Sequence, residues 1–338
     1  MKPVIAFYDA HELDQAFFRE RLSDKFELLM TDADLTAETV GQAAAATVVS
    51  THVTSKVSAE LMAQLPNLKH VACRSTGYDN VDLAYCKDHG ITVSSVPSYG
   101  DETVAEYAIM LLLAVSRKLL PAVHSVAEGV TVPQQLTGRD LAGKTLGIIG
   151  TGRIGRHAAT IARGFGMNII AYDPFPNAAA AQAVGYQYVT LDELFAQADC
   201  ITLHAPATPD TQHILGAEAF KQVKSGVIIV NTARGTLIDT PALIDALNAG
   251  RVGGAGLDVL EGEEFLQTGP ELKLLDEQEL DPKTKQVLAI DILTKLPNVL
   301  ITNHNAYNSA EALDRIRQTT TDNLTAWLAG TAQNLVKL

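Results

Sequence analysis

At 338 residues the chain is long enough for two domains with separate cores, and its 39 acidic side chains against 26 basic ones give a formal net charge of −13. That balance excludes nucleic acid and anionic membranes as expected partners, because both select basic surfaces, and it means that an anionic substrate needs a local cation. The three cysteines, Cys73, Cys86 and Cys200, show neither Cys-x-x-Cys nor Cys/His ligand spacing, so neither a disulfide framework nor a metal site is expected. The apolar N-terminal run is cut off at Asp9, too short for a signal segment or a membrane span, and a cytoplasmic protein is expected.

Short apolar runs at 3–8, 26–30, 47–50, 70–73 and 91–96 predict strands with amphipathic helices between them, a flavodoxin-like α/β layer. A second series follows. Its strands are predicted at 145–150, 168–173, 200–204, 227–232, 254–259 and 299–302, and its helices at about 153–165, 192–198, 216–223 and 241–249, the βαβ rhythm of a doubly wound parallel sheet. Between the two series, 101–120 carries Val104, Ala105, Ala108, Ile109, Leu111, Leu112 and Val115 with few charges. It reads as one helix buried on most of its circumference, suited to the contact of a homodimer or to intrachain core. The alanine run at 178–181 marks a loop-to-helix transition, and 265–296 reads as an acidic, Lys-containing surface excursion. The amphipathic stretch 309–328 follows the last strand and can cross back to the first domain. The expected fold is therefore α/β in two domains, a doubly wound Rossmann domain at 101–303 inserted into a flavodoxin-like domain of residues 1–100 completed by 304–338.

The strand at 145–150 runs directly into Gly150-x-Gly152-x-x-Gly155, and a helix begins there. In a dinucleotide-binding βαβ unit the first glycine makes the tight turn, the second lets the backbone approach the pyrophosphate, and the third lets helix pack on strand. Phosphate would lie at the helix N-terminus, beside Arg153 and Ile154. Asp173 ends the next strand about 23 residues after Gly150, where a carboxylate accepts the ribose hydroxyls; it would repel a 2′-phosphate, and no Arg follows in Pro174-Phe-Pro-Asn177. NAD is the cofactor this pattern predicts.

Three polar groups follow strands of the second series: Arg234, Glu263 and His304. A guanidinium holds a carboxylate bidentately, an imidazole exchanges protons near neutral pH, and a carboxylate beside an imidazole fixes its tautomer and favours its charged form. The set suits carbonyl–alcohol chemistry. Taken singly, Arg234 also reads as a surface ion-pair partner, Glu263 as one acid in a solvated run and His304 as a satisfied core imidazole.

Four segments, Cys73-Arg-Ser-Thr-Gly-Tyr-Asp-Asn-Val-Asp82, Asn231-Thr-Ala-Arg-Gly-Thr-Leu-Ile-Asp239, Ala255-Gly-Leu-Asp-Val-Leu-Glu-Gly-Glu263 and Asn298-Val-Leu-Ile-Thr-Asn-His304, resemble the D-specific 2-hydroxyacid dehydrogenase family, in the family's order and across nearly the whole chain. Its lactate-type members are the most similar, through Tyr-Asp-Pro-Phe-Pro and Asp-Val-x-Glu-Gly-Glu. The resemblance implies NADH-dependent, metal-free, reversible reduction of a small 2-keto acid to the D-2-hydroxy acid in a cleft between the domains. It implies that Arg234 binds the substrate carboxylate and polarises the carbonyl, that His304 is the proton donor and that Glu263 supports it. Backbone N–H groups of Thr76 and Gly77 would receive the carboxylate, with Tyr99 and Tyr307 bordering the substrate. Asp258 would contact the nicotinamide amide, and His204, Ala205, Pro206, Thr232 and Ala233 would line the cofactor.

The chain departs from the family at Asn303-His304-Asn305, where Pro-His-Thr is usual, and loss of the proline removes a constraint on the loop. Two alternatives accompany this reading. A dehydrogenase of phosphorylated hydroxy acids would need extra cations, for which Lys56 and Arg74 are the candidates, and a corepressor-like relative would bind NAD to set an assembly state. A formate-type activity is set aside because Glu263 is present.

Overall fold

The structure is a computed structural model that describes residues 2–130, 133–263 and 282–338. The chain divides into two units, one running to Tyr99 and resuming at Asn308, the other spanning Gly100–Tyr307.

In the smaller unit, β1 (Val4–Phe7), β2 (Glu27–Met30), β3 (Val48–Thr51), β4 (His70–Cys73) and β5 (Thr92–Ser94) form a parallel sheet of order β2-β1-β3-β4-β5, the flavodoxin order. β3 and β4 are buried at every position, as parallel strands covered on both faces must be. Helix Ala310–Leu328 completes this unit. It buries Leu324 among Ile5, Phe7 and Phe18, and its Arg317 Nε donates to Asp14 Oδ1 at 2.6 Å. Asn323 Nδ2 adds a bond to the Ser95 carbonyl at 2.9 Å.

The larger unit holds β6 (Thr145–Ile149), β7 (Asn168–Tyr172), β8 (Gln187–Tyr188), β9 (Cys200–Leu203), β10 (Val227–Asn231), β11 (Val252–Leu257) and β12 (Val299–Ile301). They form one parallel sheet of order β12-β11-β10-β9-β6-β7-β8. The chain winds outward from β6 in one direction and then, from β9, in the other. The β6/β9 boundary is the switch point at which such sheets bind ligands, outside the strands' carboxyl ends.

Three expectations are corrected. The stretch 101–120 is not one helix: helix Asp101–Ser116 ends, Lys118 adopts a left-handed φ of 50°, and helix Leu119–Ala127 leaves at 60°. Pro121 is the cause, since it has no N–H for the carbonyl of Arg117 and its ring would clash there, whereas the first turn of a new helix accepts it. Second, part of the expected surface excursion is helix Pro282–Lys295, which buries Ala289, Ile290 and Leu293; residues 265–281 lie outside the described residues. Third, the larger unit extends to Tyr307, past the expected boundary at 303, so His304 belongs to it. The reason is Asp258, whose carboxylate binds the chain at 302–306.

All three cysteines are buried thiols. No single described helix is long and apolar enough to cross a membrane.

His70 on β4 is fully buried, with Thr92 Oγ1 at 2.8 Å from Nδ1 and Ser94 Oγ at 2.9 Å from Nε2, and desolvation pushes its pKa down to about 4. The unfolded chain binds a proton there near 6.5. Between pH 6.5 and 4 the unfolded state therefore holds more protons, and stability falls as pH falls, by up to about 3 kcal/mol from this residue. His70→Gln keeps hydrogen-bonding groups but does not titrate. Its Tm loss between pH 7 and pH 4.5, measured by calorimetry, is expected to be smaller than the wild type's; equal losses would assign the acid sensitivity elsewhere.

Candidate active site

The nucleotide loop is built as its glycines require. Gly150 sits at φ 95°, and a Cβ there would lie 2.7 Å from the His204 carbonyl group, while a Cβ on Gly155 would lie 2.1 Å from Gly150 O. Gly152 differs: its φ is −59° and a Cβ would meet nothing within 4 Å. Neither backbone conformation nor packing within the chain demands glycine at 152, which fits a backbone kept bare for close approach of a phosphate. Helix Arg153–Gly164 starts with no side-chain cap and no acid in its first turn, leaving its N–H groups suited to an anion.

Asp173 is held by its surroundings. Thr151 donates to Oδ2 through both its N–H (2.7 Å) and its hydroxyl (2.9 Å), and Phe175 N–H donates to Oδ1 at 2.9 Å. Thr151, the residue between Gly150 and Gly152, thus bolts the carboxylate that follows β7 to the loop after β6. The sequence reading passed over it. Across the switch point, His204 donates its N–H to Ile149 O at 2.8 Å, and burial keeps its imidazole neutral, with the pKa pushed down to about 4. Thr232 Oγ1, just after β10, is buried without a hydrogen-bond partner among the described residues. A buried hydroxyl without a partner costs free energy, and a cofactor amide or hydroxyl is the kind of group that would relieve it. These features fit NAD.

Three neighbouring strands, β10, β11 and β12, deliver the polar groups. At the end of β10, the fully buried Asn231 accepts from Ala233 N–H (3.0 Å) and donates to Arg234 O (2.9 Å), fixing the turn that presents Arg234. Arg234 Nη1 donates to Ala233 O at 2.8 Å. Gly235 lets this turn rest on the next one: a Cβ there would fall 2.0 Å from Leu260 C and 2.3 Å from Glu261 N. After β11, Glu263 accepts from Leu260 N–H with Oε2 (3.2 Å) and pairs through Oε1 with His304 Nδ1 at 2.8 Å. An ionised carboxylate only accepts, so Nδ1 carries hydrogen and Nε2 is left for another partner. The pair is half-buried, with side-chain exposures of 38% for His304 and 36% for Glu263.

Asp258, expected to contact the nicotinamide amide, is also tied to the loop that carries His304. At 1% exposure its carboxylate accepts from Thr302 Oγ1 (2.6 Å), Asn305 N–H (2.8 Å) and Ala306 N–H (2.8 Å), while its carbonyl accepts from His304 N–H at 2.9 Å. These four bonds tie residues 302–306, Asn303 among them, to the turn after β11.

In the smaller unit, Thr76 and Gly77 lie in the loop beyond β4, where Thr76 Oγ1 donates to Val96 O (2.8 Å) and Ser75 Oγ to Gly77 O (2.6 Å). Their backbone N–H groups have no protein acceptor among the described residues. Tyr99 O accepts from Arg315 Nε at 2.6 Å, and Tyr307 closes the larger unit. Arg74, a candidate phosphate cation, is 2% exposed and donates to the carbonyls of Tyr8 and Asp9 (2.7 Å each) and to Ser50, so it cannot serve a substrate phosphate. Lys56 is exposed.

Comparison with known proteins gives a consistent picture. The family model for the D-isomer specific 2-hydroxyacid dehydrogenase, NAD binding domain, matches residues 109–306. The chain is 40% identical over 327 residues to a 2-hydroxyacid dehydrogenase homolog of Haemophilus influenzae and 38% identical over 326 residues to the D-lactate dehydrogenase of Escherichia coli, covering 95% of both chains in each case. Among solved structures, D-lactate dehydrogenase from Aquifex aeolicus complexed with NAD and lactic acid superposes with a TM-score of 0.85 at 34% identity, over 97% of this chain and 96% of that one.

The two readings of Asp258 separate experimentally. Asp258→Asn leaves one acceptor oxygen where two are in use and loosens the 302–306 loop, and because a misplacement near 1 Å costs on the order of 100-fold in rate, kcat is expected to fall by at least about tenfold. NADH affinity by fluorescence titration should stay within about threefold of wild type, since group positioning rather than binding is lost. A large loss of NADH affinity at unchanged kcat would return Asp258 to the cofactor.

Proposed function

The chain belongs to the D-isomer-specific 2-hydroxyacid dehydrogenases, which are NAD-dependent oxidoreductases, and we propose that within them it interconverts a small 2-keto acid of the pyruvate type and the D-2-hydroxy acid. The observation that carries this reading is the 2.8 Å pair between Glu263 and His304 Nδ1, which leaves Nε2 to exchange a proton with the carbonyl oxygen. NADH, when bound, supplies the hydride that the keto carbon takes up.

The chain's own residues do the rest. Gly150–Gly155 and Asp173 hold the dinucleotide by its phosphates and ribose, and Thr232 and His204 border it. Arg234 grips the substrate carboxylate and polarises the carbonyl, with Thr76 and Gly77 N–H groups as further carboxylate ligands and Tyr99 and Tyr307 bordering the substrate. His304 as imidazolium gives its Nε2 proton to the oxygen as the alkoxide develops, so no full negative charge accumulates. Glu263 compensates the imidazolium and fixes its orientation. In the oxidative direction neutral His304 takes the hydroxyl proton. Burial of Arg74 disfavours the phosphorylated-substrate alternative.

Steady-state rates on pyruvate, 2-ketoisocaproate, phenylpyruvate and phosphohydroxypyruvate with NADH test the substrate class. Turnover of at least one unphosphorylated keto acid is expected. His304→Ala should lose most of kcat, of the order of 100-fold or more for a general acid, with NADH affinity retained. Arg234→Lys keeps the charge but not the planar fork and should harm both kcat and KM. No turnover on any of the four, with NADH still bound, would favour the NAD-sensing alternative.

We propose further that the chain is a homodimer through the larger unit. Helix Leu119–Ala127 has no buried residue, yet Leu119, Val123 and Val126 are 54%, 56% and 80% exposed, and Met110 on the preceding helix is 44% exposed. An apolar surface of that kind is a candidate contact for a second copy. Light scattering should give twice the chain mass, falling to one in Val123→Lys/Val126→Glu; a wild-type monomer at micromolar concentration would overturn the proposal.

A further inference from the structure

The turn that carries Glu263 is also gripped from outside the dyad. His213, in the segment that follows β9, places Nε2 at 3.1 and 3.2 Å from the two carboxylate oxygens of Glu261, two residues before Glu263. His213 is itself fixed. Its φ is 52°, left-handed for a non-glycine residue, and its N–H donates to Thr236 O at 2.8 Å, in the loop that carries Arg234. Two residues on, Leu215 N–H donates to Leu237 O at 3.1 Å.

A non-glycine backbone held in that region is strained and persists only where its surroundings impose it. The neighbouring turn is equally constrained. Gly262 has φ 76°, and a Cβ there would fall 2.6–2.9 Å from the Gln286 side chain, while Gly235 packs against Leu260 and Glu261. Glu263 N–H donates to Leu260 O at 3.2 Å, closing the turn on itself. Residues 260–263 thus have few ways to shift once Glu261 is tied to His213.

We propose that His213 and Glu261 form a positioning pair for proton transfer: it fixes residues 260–263 so that Glu263 Oε1 meets His304 Nδ1, and it couples that turn to the Arg234 loop through the His213–Thr236 bond. The inference rests on the dyad reading given above. Among the described residues the His213 side chain is hydrogen-bonded to Glu261 and not to Glu263 or His304, and its effect passes through the turn.

The test is a mutant cycle, read as pyruvate or phenylpyruvate reduction with NADH, whichever the wild type turns over faster. His213→Ala, Glu261→Ala and the double variant are expected to lose kcat equally, about tenfold, because each breaks the same link and small displacements of reacting groups are costly. KM for NADH should stay within about twofold, and His213→Gln, whose amide can donate to Glu261, should recover most of kcat. In a Glu263→Gln background, His213→Ala should add less than about twofold, since the carboxylate it positions is already gone. Losses that multiply in the double variant, or in that background, would make the pair merely structural, and unchanged kcat in the single variants would make it irrelevant; either overturns the proposal. If Glu263→Gln itself keeps wild-type kcat, the dyad reading fails and the positioning role falls with it, an outcome distinct from the other two.

Discussion

A buried carboxylate just beyond β11 sets the geometry on which the site depends. Burying an ionised group is tolerated only when donors surround it, and Asp258 obtains three from residues 302–306. Satisfying them bends the chain back over the end of β11 and holds His304 at φ 54°. A left-handed histidine is strained, and the strain persists because relaxing it would strand a carboxylate that has almost no contact with solvent.

The same kind of constraint extends along the carboxyl ends of the strands. β10, β11 and β12 are consecutive neighbours in a parallel sheet, so their carboxyl ends lie side by side at about 4.8 Å per strand, although Arg234, Glu263 and His304 are far apart in sequence. Adjacency alone leaves loops too variable for chemistry. Here the loops are locked pairwise: Asn231 rigidifies the first turn, Gly235 lets it press on the second, and Asp258 ties the second to the third. Each lock is a buried polar group with its partners satisfied or a glycine where no side chain fits.

What the sequence made legible was whatever depends on local pattern. Strand runs, the three glycines of the nucleotide loop and the acid that follows β7 are set by a few neighbouring residues, and the structure has a strand at each expected run, with β11 two residues earlier than the expected 254–259 and the two-residue β8 not foreseen. Helix Pro282–Lys295 was hidden because its apolar residues, Ala289, Ile290 and Leu293, were judged together with the acidic stretch before them. The break at Lys118 was available from Pro121 but was outweighed by the apolar run around it. Asp258 and Arg74 were beyond reach for a different reason. Their partners lie 44 to 48 and 24 to 66 residues away, and only strand register brings them together. A charged residue next to a motif looks functional from sequence; whether its charge faces a ligand or the chain's own polar groups is tertiary information.

Three histidines show how environment, rather than residue type, divides labour. His70 lies between two hydroxyls in a closed core, and His204 beside Thr202 at the switch point; burial keeps each neutral, with the pKa pushed down to about 4. Neither has a carboxylate to compensate a proton. His304 is half-exposed and has Glu263 at 2.8 Å, the counter-charge an imidazolium requires, together with a second nitrogen not used by that contact. A donor of protons needs both charge compensation and an outward-facing atom. Of these three only His304 has both, and it has them because Asp258 and the 260–263 turn hold the two side chains in register.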